Sequence, residues 1–219
     1  MKKFYNLFIL IRSIICCLKI LPFKQAIKCP IFVNFRFSID VSKDSTIQFS
    51  SPLRFGMVHL GWEGTQGINS SNGGLYMHSK SKLILGDKIC VCKGTSIRID
   101  QFGQIEIGSD TRINKNCFIR STKIIEIGEK TSIGWNVTIN TTDGHNLWVD
   151  GKAALKDAPI KIGSHSWIGS NVTICKNVSI APSTVVAQNS LVTKSVRLER
   201  CLVGGIPSKL LRENVEWQR

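Results

Sequence analysis

The sequence is poor in the residues that most small frameworks depend on. Among 219 residues there are four His, six Pro and two Tyr, and no Cys-x-x-Cys pair, Cys90-Val91-Cys92 being the nearest approach. Zinc modules that need ligands at that spacing are excluded. The eight Cys lie mostly inside apolar runs, where a free thiol behaves as a small hydrophobe. A disulfide framework is therefore not expected, and a reducing compartment is. Long uninterrupted apolar runs are also missing. Arg12 and Lys19 break the segment from Phe4 to Leu21 well short of the roughly 18 residues of a spanning helix. Arg12 also falls inside what would be the apolar centre of a signal peptide, and no small-residue cleavage site follows.

Acidic residues are scarce as well. Lys+Arg 29 against Asp+Glu 15 gives a net charge of +14, which points to an anionic partner. Residues 1–39 contain no acid and seven bases: Lys2, Lys3, Arg12, Lys19, Lys24, Lys28 and Arg36. Half of the excess charge therefore lies at one end. Bases elsewhere are not interleaved with aromatics for base stacking, so nucleic acid is not expected as a partner. At helical spacing Lys2, Asn6, Arg12, Ser13 and Lys19 share one side of a helix that Pro22 ends. Two readings stay open for it. Phe4, Leu7, Ile11 and Leu18 cover the open end of the fold that follows, or the helix makes a peripheral contact with an anionic inner leaflet.

What dominates the remainder is a period of six. An aliphatic residue recurs at Ile162, Ile168, Ile174, Ile180, Val186 and Val192. The next position is always small: Gly163, Gly169, Cys175, Ala181, Ala187, Thr193. Four after each aliphatic stands Ser166, Val172, Val178, Thr184, Ser190 or Val196, all small or β-branched. The same frame shows earlier at Leu85 and Val91, Ile107 and Ile113, and Ile127 and Ile133. Six is neither a helical period nor simple alternation. It fits a solenoid whose short flat sides turn at tight corners, each rung burying its apolar face on its neighbours.

These hexads resemble those of the hexapeptide-repeat acyltransferases, and two further stretches narrow the likeness to the branch that O-acetylates cell-surface sugars. Thr142-Asp143-Gly144-His145 opens an insert that breaks the repeat, and Val203-Gly204-Gly205-Ile206-Pro207-Ser208-Lys209 is similar to the stretch that ends the coil in that family. The resemblance implies an all-β fold, a left-handed parallel β-helix with a short apolar helix before it and a closing helix after it. The expected organisation is a helical segment over 1–38, the coil over 39–202 with an active-site loop at 140–158, and a closing loop and helix over 203–219.

The resemblance also implies the chemistry. Acetyl-CoA is the co-substrate, no metal is required, and His145 is the general base of a direct transfer to a hydroxyl. An imidazole suits that task because its ordinary pKa leaves it neutral near pH 7. Asp143 either orients the ring or holds the loop. Asn116 and Trp148 are the substrate-binding candidates, although Ser121 and Thr122 stand where relatives of this kind carry an acid. Ser170, Ala187, Thr193, Lys194 and Lys209 fall at the coenzyme positions, the two lysines suiting phosphates. The implied partners are a sugar, nucleotide-sugar or lipid-linked glycan acceptor and two further copies in a homotrimer, in the cytoplasm. An amino-sugar N-acetyltransferase is the alternative, because the same base serves an amine. A zinc hydratase on the same coil needs a three-His site that the spacing of the four His does not supply.

Overall fold

The computed structural model describes residues 2–219, and side chains from Leu7 onward. A helix, α1 (Lys2–Ile20), and a single turn, α2 (Phe23–Ala26), precede strands that form three parallel faces of a coil. The first face runs from Ile31–Val33 through Val58–Trp62, Ile89–Cys92, Arg112–Ile113, Ser132–Ile133, Trp167–Ile168 and Val185–Val186 to Leu202–Gly205. The second starts at Phe37–Val41 and ends at Leu191–Val192; the third starts at Thr46–Phe49 and ends at Ser179–Ile180. The chain is a left-handed parallel β-helix.

Register explains why the hexads have three coordinated positions. Ile133, Ile168 and Val186 stack on one face, and Ile139, Ile174 and Val192 on the next. All six are buried, as are Ser166, Val172, Val178, Thr184 and Ser190 at the second inward place. Between these two places a corner residue takes a positive φ: Asn116, Asn136, Asn171 and Asn189 on the edge between the first and second faces. Asn tolerates that conformation better than most side chains. The small residue after each aliphatic lets the next coil close in. A Cβ on Gly169 would lie 2.6 Å from the Gln188 nitrogen.

Two expectations are corrected at the ends. No helix forms after Pro207. Strand Leu202–Gly205 instead turns back through Ile206 and Pro207 into the antiparallel strand Ser208–Arg212. The last strand of the first face would otherwise leave its N–H and C=O groups without a ladder, and this hairpin pairs them. The coil also begins earlier than 39, because Ile31–Val33 already pairs with Val58–Trp62.

The amino-terminal helix does cap the coil, but with a different face. Ile9, Ser13, Cys17 and Leu21 are buried. Ser13 Oγ accepts from the Val33 N–H at 2.9 Å, Cys17 Sγ donates to the Ile31 carbonyl at 3.3 Å, and Arg12 donates to the Phe37 carbonyl at 2.9 Å. Polar side chains thus satisfy the free edges of the first strands on two faces. Leu7, Ile11 and Leu18, expected to cover the coil, are exposed instead; Phe4 lies outside the described side chains.

Candidate active site

The repeat breaks after Thr138–Asn140, where residues 141–159 leave the edge between the second and third faces before Ile160–Ile162 resumes the coil. Short-range bonds hold the base of this loop. Ala158 N–H donates to Thr141 O at 2.9 Å, and Thr122 N–H donates to Thr141 Oγ1 at 2.8 Å. Thr122 Oγ1 donates to Asp157 at 3.0 Å. Burial alone would raise the Asp157 carboxyl, but hydroxyl bonds from Thr142 and Thr122, with Lys156 and Lys123 nearby, outweigh it and hold the pKa below its usual value. The tip is a hairpin in which Trp148–Val149 pairs antiparallel with Lys152–Ala153. Asp150 and Gly151 both take positive φ between them, the Asp-Gly signature of a two-residue primed turn.

His145 sits between base and tip, exposed, and its ring makes no hydrogen bond or ion pair among the described residues. Gly144, at φ +81, precedes it, and its N–H donates to Thr142 Oγ1 at 3.0 Å. Asp143 does not touch the ring. Its carboxylate takes Lys176 Nζ at 2.5 Å, from the same edge of the next coil. Of the two roles open to Asp143, this geometry is that of a loop anchor. Trp148 projects from the hairpin, 61% exposed.

The coenzyme candidates divide between two places. Ser170 and Ala187 line a groove of about 460 Å³ on the first face, walled by Trp135, Trp167, Gly169 and Gln188. Lys194 and Lys209 share a separate hollow of about 210 Å³ with Arg197, formed where the terminal hairpin meets the last coil. Thr193 is exposed beside them. The groove opens on the first face, whereas the His145 loop rises from the edge between the second and third. One chain therefore presents His145 and the groove on different sides.

Asn116 is committed elsewhere. Its Nδ2 donates to the Asn69 carbonyl at 2.8 Å, and its Oδ1 is buried against Gly94 without a partner among the described residues. Lys115, 7% exposed, donates to Ile68 O at 3.1 Å, and Asn114 Nδ2 donates to Thr65 Oγ1 at 2.8 Å. Asn114-Lys115-Asn116 is thus a row of hooks holding loop 63–72 on the edge between the first and second faces. An acceptor contact at Asn116 would have to run through that loop. Glu63 in the same loop is held ionised by a hydrogen bond from Lys93, which with Lys115 outweighs its partial desolvation. Sequence reasoning missed Trp135 and Arg112 as groove residues. The available signal was Trp135 in Ile133-Gly134-Trp135-Asn136, a large ring at an outward hexad position.

No model of a known protein family matches the chain. An uncharacterised 24.8 kDa protein of the cps region of Klebsiella pneumoniae is 33% identical over 149 residues, 68% of this chain and 66% of that protein. The polySia-specific acetyltransferase NeuO superimposes with a TM-score of 0.57 at 26% identity, covering 84% of this chain and 89% of its own. A hexapeptide-repeat-containing acetyltransferase from Vibrio cholerae, solved with acetyl coenzyme A, superimposes with a TM-score of 0.51 over 59% of this chain and 69% of its own. It is 30% identical in sequence. Identity at that level across more than two thirds of a solved relative, on the same coil, makes this chain a member of the hexapeptide-repeat acetyltransferases.

Proposed function

We propose that this protein transfers the acetyl group of acetyl-CoA to a sugar hydroxyl during assembly of a surface polysaccharide, in the cytoplasm, with His145 as general base. The observation that carries this reading is the state of His145: exposed on a loop pinned at its base, with no partner for its ring among the described residues. A ring nitrogen there can take the hydroxyl proton as the oxygen attacks the thioester carbonyl. The new C–O bond forms, the C–S bond breaks, and the imidazolium returns the proton to the departing thiolate. The polysaccharide assignment draws support from the cps-region relative and the polySia-specific neighbour.

The groove suits a flexible pantetheine arm, because Gly169 and Ala187 leave backbone accessible along it. Lys194 and Lys209 would take the phosphates. Placing base and groove on different sides of one chain favours a homotrimer, in which the loop of one copy meets the groove of the next. The test is acetyl transfer across a panel of sugars, amino sugars and nucleotide sugars, read by mass, with His145→Ala beside the natural chain. The variant should lose about 10²–10⁴-fold in turnover while still binding acetyl-CoA. A variant that keeps most of its turnover, or transfer to amines alone, would remove the reading.

A further inference from the structure

The outward face of α1 has no role in the fold. Leu7, Phe8, Ile11, Ile14, Ile15 and Leu18 point away from the coil, between 40% and 61% exposed. Phe23 and Ile27 extend the patch past Pro22 at 71% and 63%. Soluble monomers rarely leave so many large apolar side chains together in water. The opposite face is fixed to the first strand through Ser13 and Cys17, so the patch is held in place on a rigid body. Exposed Lys19, Lys24, Lys28 and Arg36 lie along or just after it, and residues 1–39 contain no acid.

We infer that this face docks the protein on an anionic lipid bilayer, with α1 lying in the interface. Among the described residues no helix is long and apolar enough to cross a membrane, whereas a helix with one bound face and one apolar face rimmed by bases suits partial burial among headgroups. Charge decides between lipid and a second copy as the occupant. Pairing two such faces would bring cations of one sign together with no acid from residues 1–39 to offset them; anionic headgroups neutralise them. Docking does not depend on the acetyl-transfer reading, since none of these residues lines the groove or the His145 loop.

The test is co-sedimentation of the full chain with vesicles of phosphatidylcholine alone and of equal phosphatidylcholine and phosphatidylglycerol. The full chain should pellet with the mixed vesicles and much less with the neutral ones. Replacing Ile15 and Leu18 together by Gln should weaken binding at least about tenfold, since each withdraws an apolar side chain from the interface. Lys19→Gln with Lys24→Gln and Lys28→Gln should weaken it on the order of 10²-fold and abolish the preference for phosphatidylglycerol. All five side chains are exposed, so melting temperature should hold in both variants. Failure of the full chain to pellet with mixed vesicles would overturn the inference. So would unchanged binding by either variant, or a fall in assembly mass on the Ile15 and Leu18 replacement without vesicles, which would show that the face pairs copies. Loss of vesicle binding with acetyl transfer to a water-soluble acceptor kept would separate this surface from the catalytic reading.

Discussion

The ion pair between Asp143 and Lys176 gives the sharpest test of how the loop works. If Asp143 only anchors the loop, its value is that of a partly exposed pair. The two side chains are 44% and 22% exposed, and such pairs contribute about 0.2–1 kcal/mol. Removing the pair can then shift the fraction of loop held in place by no more than about fivefold. Asp143→Asn and Lys176→Met should each lower turnover by less than that, and the double variant should fall no further than either single one, because each substitution removes the same interaction. Salt near 1 M, which screens charges within about 3 Å, should bring the natural chain to the level of the variants. The assay is release of the coenzyme A thiol at saturating acceptor. A carboxylate that orients a catalytic imidazole behaves differently, its loss costing about 10⁴-fold in a serine-protease triad. If Asp143→Asn falls by 10²-fold or more while Lys176→Met stays near the natural chain, Asp143 acts on the ring and the anchor assignment is refuted.

Three further outcomes follow from burial and charge. Ile168 is fully buried between Ile133 and Val186, so Ile168→Ala should destabilise the coil by about 2–5 kcal/mol, read as a lower melting temperature; an unchanged one would contradict the stacking. The Asp157 carboxyl has a lowered pKa in the fold, so its contribution is present above the unfolded value and is lost as pH falls through the folded one. Protection of the Ala158 N–H against hydrogen exchange, taken relative to the intrinsic rate at each pH, should fall in acid, and Asp157→Asn should remove that pH dependence of protection. Among the cysteines Cys90 alone has its pKa lowered, by the neighbouring Cys92 thiol, which outweighs burial, with Arg112 adding to it. Alkylation near pH 7 followed by mass mapping should find it modified ahead of Cys17, whose burial raises its pKa to about 12.

The parts of the fold that could be read from residues are those where the period is strict. Between Ile162 and Val192 equivalent residues on successive coils are 18 apart, as with Ile162 and Ile180 or Ile168 and Val186. Three hexads make one turn there, so the register is visible in the letters. Earlier turns carry two to four extra residues, as between Val91 and Ile113 or Ile113 and Ile133, and loops at 50–57 and 63–72 separate the first ones. That padding hid the start of the coil at Ile31. The closing helix came from the resemblance alone, whereas an unpaired strand edge decides the outcome, and the chain after Leu202 folds back on it as a hairpin. Leu7, Ile11 and Leu18 were placed on the wrong side because α1 is apolar nearly all round. A buried Ser13 bonded to the Val33 N–H reverses a choice that hydrophobicity alone left open. The loop that carries His145 was legible because the repeat breaks there, and the pairing of Asp143 with Lys176 was not, because it joins different coils.

Stacking in parallel strands turns the coil into a ruler. Each turn advances the chain by about 4.8 Å along the axis, and that step cannot be subdivided without leaving the ladder. Asn140, at the root of the His145 loop, belongs to the fifth turn of the second face, and Lys194 follows the last strand of that face, two turns on. Their axial separation is therefore set at about 10 Å by counting turns, whatever the side chains at the corners. Gain or loss of a whole 18-residue turn between them would preserve every buried contact type yet move the loop relative to the lysines by a full graduation. Within this architecture, reach toward a co-substrate of given length changes in fixed increments.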